Sequence, residues 1–260
     1  MKKGLIAILL IIVVIAGGAW YFLSNAGNLI KEQIEKQGST MLGTSVTVFS
    51  VDLALTEGKL SINDLDVENP TGFSDNDAFS FESVTIDLGD ISGEPYTVQT
   101  VSVNAPEVLY ELDASGKGNL LAIKNNLMAN LPKSDAPAES SEAPNPLVII
   151  EDVTVSKVRL KLDFTNLDTG EYKLPLEQTS YEIELPTFSA GSVGKPNGLP
   201  ADQVGAAIVE KMLNNIIDQA KAEAKKRVSE AAKAKAMEKI EEGKGKLEEK
   251  AKDKLKDLLN

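Results

Sequence analysis

The sequence of 260 residues contains no cysteine and no histidine. A chain without thiol or imidazole groups carries no Ser-His triad, cysteine nucleophile, thiolate zinc site or structural disulfide. Pairs of carboxylates, such as Asp87 with Asp90 or Glu182 with Glu184, lack an apolar pocket that would separate an acid from a base. The acidic turn at residues 75–77 lacks the glycine and the distal glutamate of a calcium-binding loop. We therefore expect no catalytic residue, no metal site and no cofactor, and predict that the protein is not an enzyme.

Positive charge is scarce in most of the chain, whose 27 basic and 39 acidic side chains give a formal net charge of −12. Residues 1–200 carry 13 of the basic and 27 of the acidic side chains, whereas residues 201–260 carry 14 and 12. A surface that binds nucleic acid needs clustered basic residues, and the acidic body has none. The sequence therefore predicts no nucleic-acid partner.

One long apolar run stands at the N-terminus, where residues 4–23 are uncharged and follow Lys2 and Lys3. Twenty such residues in a helix span a hydrocarbon core of about 30 Å. A cleaved signal peptide over residues 5–19 is the alternative, but Trp20 and the aromatics after it suit the interfacial belt of a spanning helix. We predict a single-pass inner-membrane anchor with a cytoplasmic N-terminus and the bulk of the chain in the periplasm.

Changes in composition divide the chain into five predicted segments. These are a membrane anchor (1–27), an N-terminal β domain (28–131), a linker (132–146), a second β section that completes the sheet (147–200) and an amphipathic helical tail (201–260). Residues 28–38 have helical spacing and predict a short helix that ends near Gly38. The fold class that follows is α+β, mainly β, with an N-terminal transmembrane helix, a curved antiparallel sheet with a groove and a long C-terminal helical tail.

The apolar residues of the predicted strands follow an unusual spacing of two, three and two residues, as in Val46, Val48, Val51 and Leu53. A three-residue step places the later apolar residues on the wrong face unless a β-bulge absorbs the extra residue and bends the strand. Five strands with such bends would curl the sheet over an apolar channel. Short strands broken by turns around an ordinary core, for instance at Asn63-Asp64, are the alternative.

A curled sheet would place one apolar residue of each strand centre on its concave side. Such a groove would accept the acyl chains of membrane lipids, at about 0.8 kcal/mol per buried methylene. The predicted groove residues are Leu53, Ile62, Val84, Ile86, Val101, Val103, Val158 and Leu160.

Two motifs, Asn69-Pro70-Thr71-Gly72-Phe73 and Ala105-Pro106-Glu107-Val108, are followed by Tyr110-Glu111 and Gly118-Asn119-Leu120. With the apolar N-terminus, they resemble the N-terminal region of the AsmA family over residues 2–121. The resemblance implies a protein of the inner membrane that projects a curved β-sheet with a hydrophobic groove into the periplasm. Larger members are associated with phospholipid movement toward the outer membrane and with outer-membrane assembly. This chain has only one short second β section, so a groove that bridges two membranes is not implied.

The same motif residues also have a purely structural interpretation. Asn69 before Pro70 favours an extended conformation, Pro70 favours a turn, Gly72 allows positive φ and Phe73 can pack back on the sheet. Proline cannot donate to a β-ladder, so Pro106 predicts an edge strand or the start of a strand. We interpret Asn69, Pro70, Gly72, Phe73 and Pro106 as residues that determine the fold.

The tail carries apolar residues at three- and four-residue spacing from Val204 to Val228, which predicts a helix that packs on the sheet or caps the groove. Gly243 and Gly245 predict a bend or break. Residues 229–260 have a thinner apolar stripe and mixed charges, which favour an exposed helix or a helical contact with an envelope protein over membrane binding.

Two functions follow from these patterns. The first is lipid handling or envelope homeostasis by a membrane protein with an apolar β groove. The second is a non-transporting scaffold or assembly factor that acts through its sheet and its helical tail. They differ in whether the inner face of the sheet is open or is filled by the protein's own side chains and the tail helix.

Overall fold

A computed structural model of the chain describes residues 25–54, 56–89, 92–131, 145–168 and 178–258. The predicted anchor at residues 4–23 and most of the predicted linker lie outside these ranges. Within these ranges, no helix combines the length and the apolar composition that crossing a membrane requires.

The described residues form three helices and a nine-stranded sheet. Helix α1 covers residues 25–42, α2 covers Asn119–Asn130 and α3 covers Ala201–Leu258. The strands are β1 (Val46–Ala54), β2 (Lys59–Glu68), β3 (Asp77–Leu88), β4 (Tyr96–Glu111), β5 (Leu147–Ser156), β6 (Val158–Asp163), β7 (Ser180–Leu185), β8 (Phe188–Ser189) and β9 (Leu199–Pro200).

The sheet is open, curved and mixed. Strands β1 to β4 form an antiparallel meander, and the order continues β4-β5-β8, while β6 joins β4 to β7 and β9 pairs with β5. Both β5 and β6 run parallel to β4, which pairs with β5 along its first half and with β6 along its second half. The predicted α+β class with a β body and a C-terminal helix is confirmed. The prediction of a wholly antiparallel sheet is wrong, because α2 carries the chain across the inner face and returns it as a parallel strand.

Each strand from β1 to β5 has a three-residue step at one common row across the sheet. This polar row, formed by residues that pair in succession from β1 to β5, consists of Ser50, Asn63, Ser83, Asn104 and Ser156. Asn63 Nδ2 donates to Ser50 Oγ at 3.1 Å, and Ser156 Oγ donates to Asn104 Oδ1 at 2.9 Å. The sheet thus carries a continuous band of small polar side chains.

The backbone beside the polar row explains the spacing in β2, in β4 and at the junction of β5 with β6. Asp64, Ala105 and Lys157 each follow a row residue and have φ values of 45°, 46° and 57°. In β2, in β4 and at the junction of β5 with β6, one left-handed residue reverses the alternation of side chains, whereas the steps of β1 and β3 contain no such residue. The pairing register is the same on both sides of the row in all of these strands from β1 to β4. The prediction of a bulge at each step is therefore wrong. The step from Val98 to Val101 in β4 lies outside the row and does contain the predicted bulge, because Gln99 is skipped in the pairing of β3 with β4.

Pro106 lies within the central strand β4, so its predicted place at an edge or a strand start is wrong. Its position is tolerated because the ladder is interrupted beside it, where Asn104 is the last partner of β5 and Glu107 the first partner of β6. The missing N–H of the proline therefore falls in a gap between two ladders.

The main core lies between the inner face of the sheet and helices α2 and α3. Helix α2 contributes Leu120, Ile123 and Leu127, and the first half of α3 contributes its own buried apolar residues, which are Ala206, Met212, Leu213, Ile216, Ile217 and Ala220. No buried residue follows Ala220 among those α3 residues whose side chains are described. Only the first half of α3 is therefore part of the folded body.

The predicted helix end near Gly38 is wrong, and so is a break at Gly243 and Gly245. Helix α3 continues through Gly243 and Gly245, because two glycines cost about 1 kcal/mol each and the surrounding Ala, Lys and Glu residues are strong helix formers. Helix α1 continues past Gly38 to residue 42. A Cβ atom at Gly38 would lie 3.2 Å from Val46 Cγ2, so this glycine allows α1 to approach β1 closely.

Helix α1 lies along the free edge of β1 and caps its backbone. Ser39 Oγ and Glu35 Oε1 accept the N–H groups of Val46 and Val48, each at 2.9 Å. One helical turn further back, the Lys31 ammonium donates to a β1 carbonyl at 3.2 Å. This edge is therefore closed to an added strand.

Candidate functional surfaces

The predicted groove residues lie on the inner face of the sheet, but most of them are buried in the protein's own core. Those that are buried are Ile62, Val101, Val103, Val158 and Leu160, and those that are partly buried are Leu53, Val84 and Ile86. Val101, Val103, Val158 and Leu160 share a cluster with α2 and α3. Ile62 belongs to a smaller cluster under α1. Helices thus cover the inner face where an open groove was predicted.

Part of the inner face remains incompletely covered at one end of the sheet. This apolar end consists of Leu53, Leu60, Ile86 and Leu88, all partly buried, and the first three are paired neighbours in β1, β2 and β3. Helix α1 starts beside it, since Gly27 packs so closely on the Val51 carbonyl that no Cβ would fit.

A buried carboxylate holds the Asn-Pro-Thr-Gly-Phe turn against the sheet. Glu111 is only 2% exposed, and its oxygens accept from Ser74 N at 3.1 Å, Ser74 Oγ at 2.6 Å, Asn69 Nδ2 at 3.1 Å and Asn166 Nδ2 at 3.0 Å. None of the ion pairs found in the described ranges involves Glu111. Neutral dipoles therefore replace the water that a buried carboxylate loses.

Asn119 connects this carboxylate to the start of α2 and is fully buried. Its Oδ1 accepts from Glu111 N at 3.0 Å and from Leu120 N at 2.8 Å. Its Nδ2 donates to Asn69 Oδ1 at 2.7 Å and to Leu109 O at 2.8 Å. All the hydrogen-bonding capacity of the amide is used, so Asn69, Glu111 and Asn119 form one satisfied network.

Sequence reasoning assigned a structural role to Asn69 but none to Glu111 or Asn119. The only signal was a polar residue at the end of an apolar strand and another just after Gly118. The structure gives these residues a role in packing the turn, the end of β4 and the start of α2.

The turn that follows Asn69 depends on glycine, and Gly72→Val is expected to destabilise the protein by about 1–3 kcal/mol. Gly72 has a φ of 101°, and the N–H of Phe73, which is half-buried, donates to Pro70 O at 3.3 Å. No atom lies within 4 Å of an added Cβ, so the cost comes from backbone strain alone. Urea unfolding measures it, with the exposed Thr71→Ser as a nearly neutral control; equal midpoints for both variants would contradict this role.

The outer face of the sheet carries an open cleft of about 700 Å³ between β3, β4, β6 and β7. Most of its lining is polar or charged, and the lining side chains include Asp77, Glu107, Arg159, Lys161, Glu182 and Glu184. Burial raises the pKa of Asp77, and the carboxylates of Asp66 and Glu68 raise it further. No set of three acidic residues in the described ranges is placed to hold a metal ion. The cleft suits a polar, charged partner and does not suit an acyl chain.

No protein-family model matches the chain, and comparison with curated proteins and with solved structures found no match. The similarity to the AsmA family therefore stays a prediction that rests on the motifs of the sequence.

Proposed function

We propose that the protein is a non-catalytic scaffold or assembly factor of the cell envelope, anchored in the inner membrane and similar to the AsmA family. The observation that carries the proposal is the filled inner face of the sheet, where the side chains of α2 and α3 occupy the space that a lipid would need. Because the protein's own side chains fill the apolar inner face, that face stabilises the fold. The protein then acts through its outer surfaces.

The positions of α1 and α3 define how the sheet would be oriented relative to the proposed anchor. Helix α1 starts at the apolar end, so a membrane segment before residue 25 would join the body there. Helix α3 starts at the same end, because β9 pairs with the first residues of β5. Arg227 then stacks on Tyr181, which lies beside the last residues of β6 at the opposite end. Helix α3 therefore leads away from the membrane.

The second half of α3 passes beside Tyr181 and has no buried residue among its described side chains. Residues 229–258 would extend about 45 Å at 1.5 Å per residue. Met237 and Ile240 are 71% and 59% exposed, and they lie three residues apart on one side of the helix. An exposed apolar pair among mixed charges, held far from the membrane, is suited to contact with a helix of an envelope partner.

Lipid handling is the second candidate, and the apolar end supports it. Leu53 and Ile86 remain partly exposed next to the start of α1. In an anchored protein they would face the bilayer, where acyl chains could cover them.

Photo-crosslinking in intact cells distinguishes the two functions. A photoreactive residue at Met237 or Ile240 is expected to give a discrete protein adduct, whereas one at Leu53 or Ile86 reports on lipid. Exposed Glu82, on the outer face, serves as the control position. Lipid adducts at Leu53 and Ile86 without a protein adduct from α3 would overturn the scaffold function in favour of lipid handling.

A mature N-terminus near Ala19 or Trp20 would remove the anchor from the proposal. So would a C-terminal reporter that is active only in the cytoplasm. Both measurements are independent of the crosslinks, so the location and the function of the protein can fail separately.

A further inference from the structure

The edge of the sheet at β1 differs from the edge at β7. The edge of β1 is capped by side chains of α1. Strand β7 pairs with β6 over six positions in one register, from Ser180 opposite Asp163 to Leu185 opposite Val158. Within the described ranges, no strand or backbone hydrogen bond occupies the other side of residues 180–185. An uncovered edge strand is a template for one more strand.

Clefts lie on both faces beside β7. The outer cleft of about 700 Å³ includes Glu182 and Glu184 in its lining. On the inner side, a second cavity of about 360 Å³ lies between Tyr181 and α3, whose lining residues are Ala231 and Ala234 together with the charged Arg227, Glu230, Lys235 and Glu238. Strand addition gains affinity from backbone hydrogen bonds and specificity from spaces for alternate side chains. The edge of β7 offers both.

The charges of the outer face alternate in sign from strand to strand. Glu107 of β4 lies opposite Arg159 of β6 and forms an ion pair with it, and Arg159 lies opposite Glu184 of β7. Lys161 of β6 lies opposite Glu182 in the same way. A strand added to β7 would continue this order with basic residues opposite the two exposed glutamates.

We propose that β7 is a docking edge for an extended segment of a partner protein in which basic residues alternate with apolar ones. The basic side chains lie in the outer cleft against Glu182 and Glu184, and the apolar ones lie on the inner side near Tyr181 and Ile183. Pairing with a second copy of β7 is disfavoured, because it would bring the glutamates of the two copies together. The proposal does not depend on the anchor.

Fluorescence anisotropy with the purified full chain tests this docking edge. The probe is a labelled eight-residue peptide in which lysine alternates with valine, and it is expected to bind more weakly as the salt concentration rises. The double variant Glu182→Lys, Glu184→Lys is expected to bind it at least about tenfold more weakly, and to bind instead a peptide of alternating glutamate and valine. A thermal melt of the variant checks that the exposed substitutions leave the fold intact.

Two further measurements separate strand addition from simple attraction of charges. A lysine-valine peptide whose backbone nitrogens are methylated on alternate residues keeps its charge but cannot form the ladder, so its binding should be lost. Hydrogen exchange of residues 180–185 should slow when the unmodified peptide binds. Absence of binding, unchanged binding of the methylated peptide, or protection only outside β7 would each overturn the proposal.

Discussion

Asn119→Ala is expected to lower the free energy of unfolding by about 3–5 kcal/mol, because the substitution strands several buried partners at once. The amide of Asn119 makes four hydrogen bonds in a fully buried position. Without it, the N–H of Glu111, the carbonyl of Leu109 and the amide oxygen of Asn69 lose a partner. Urea unfolding of the purified protein gives the difference.

The matched control is Asn126→Ala, a substitution of the same residue type in the same helix. Asn126 is half-buried and donates one hydrogen bond, to Leu42 O at 3.0 Å. Its loss should cost about 1 kcal/mol. Equal destabilisation by the two variants would mean that the network around Asn119 contributes no more to the free energy of unfolding than one partly exposed hydrogen bond does.

Val103→Asp is expected to destabilise the protein by at least about 4 kcal/mol, because it places an unpaired charge in a sealed core. Val103 is 2% exposed and shares its cluster with α2 and α3. Thermal unfolding followed by circular dichroism measures the effect. Ile86→Asp, on the neighbouring strand and partly exposed, should cost clearly less.

The same pair of variants also tests the proposed function. If the inner face were an open groove, Val103→Asp would keep its thermal transition and lose bound lipid, which mass spectrometry of the purified protein would detect. Unfolding of Val103→Asp together with a milder effect of Ile86→Asp is the result expected of a filled face.

Several features of the fold follow from local patterns in the sequence. The apolar spacing from Val204 to Val228 predicts a helix that packs on the sheet, and Ala206 to Ala220 supply the buried residues of α3. The spacing of Val46, Val48 and Val51 reveals that something interrupts the strand. Such signals are local, because they depend on the period of one element alone.

Other features depend on which segments meet, and a single strand carries no sign of that. Alternation is the same in parallel and antiparallel strands, so the direction of β5 and β6 relative to β4 does not follow from their residues. A spacing such as that of Val101 and Val103 is equally typical of a groove lining and of a filled core. Asn119 resembles an ordinary residue at a helix start until Asn69, fifty positions earlier, is found beside it.

The polar row also restricts how the chain can change in length. Deletion of Asp64 would remove the reversal together with one residue, so the apolar residues of β2 would keep their face, but one half of the strand would shift by one position against β1 and β3. A strand with its three-residue step can pair in register only with neighbours that have the step at the same row. The lengths of these five strand segments must therefore be conserved together. Insertions and deletions in descendants of this chain are then confined to the connections between strands, where no neighbour has to change with them.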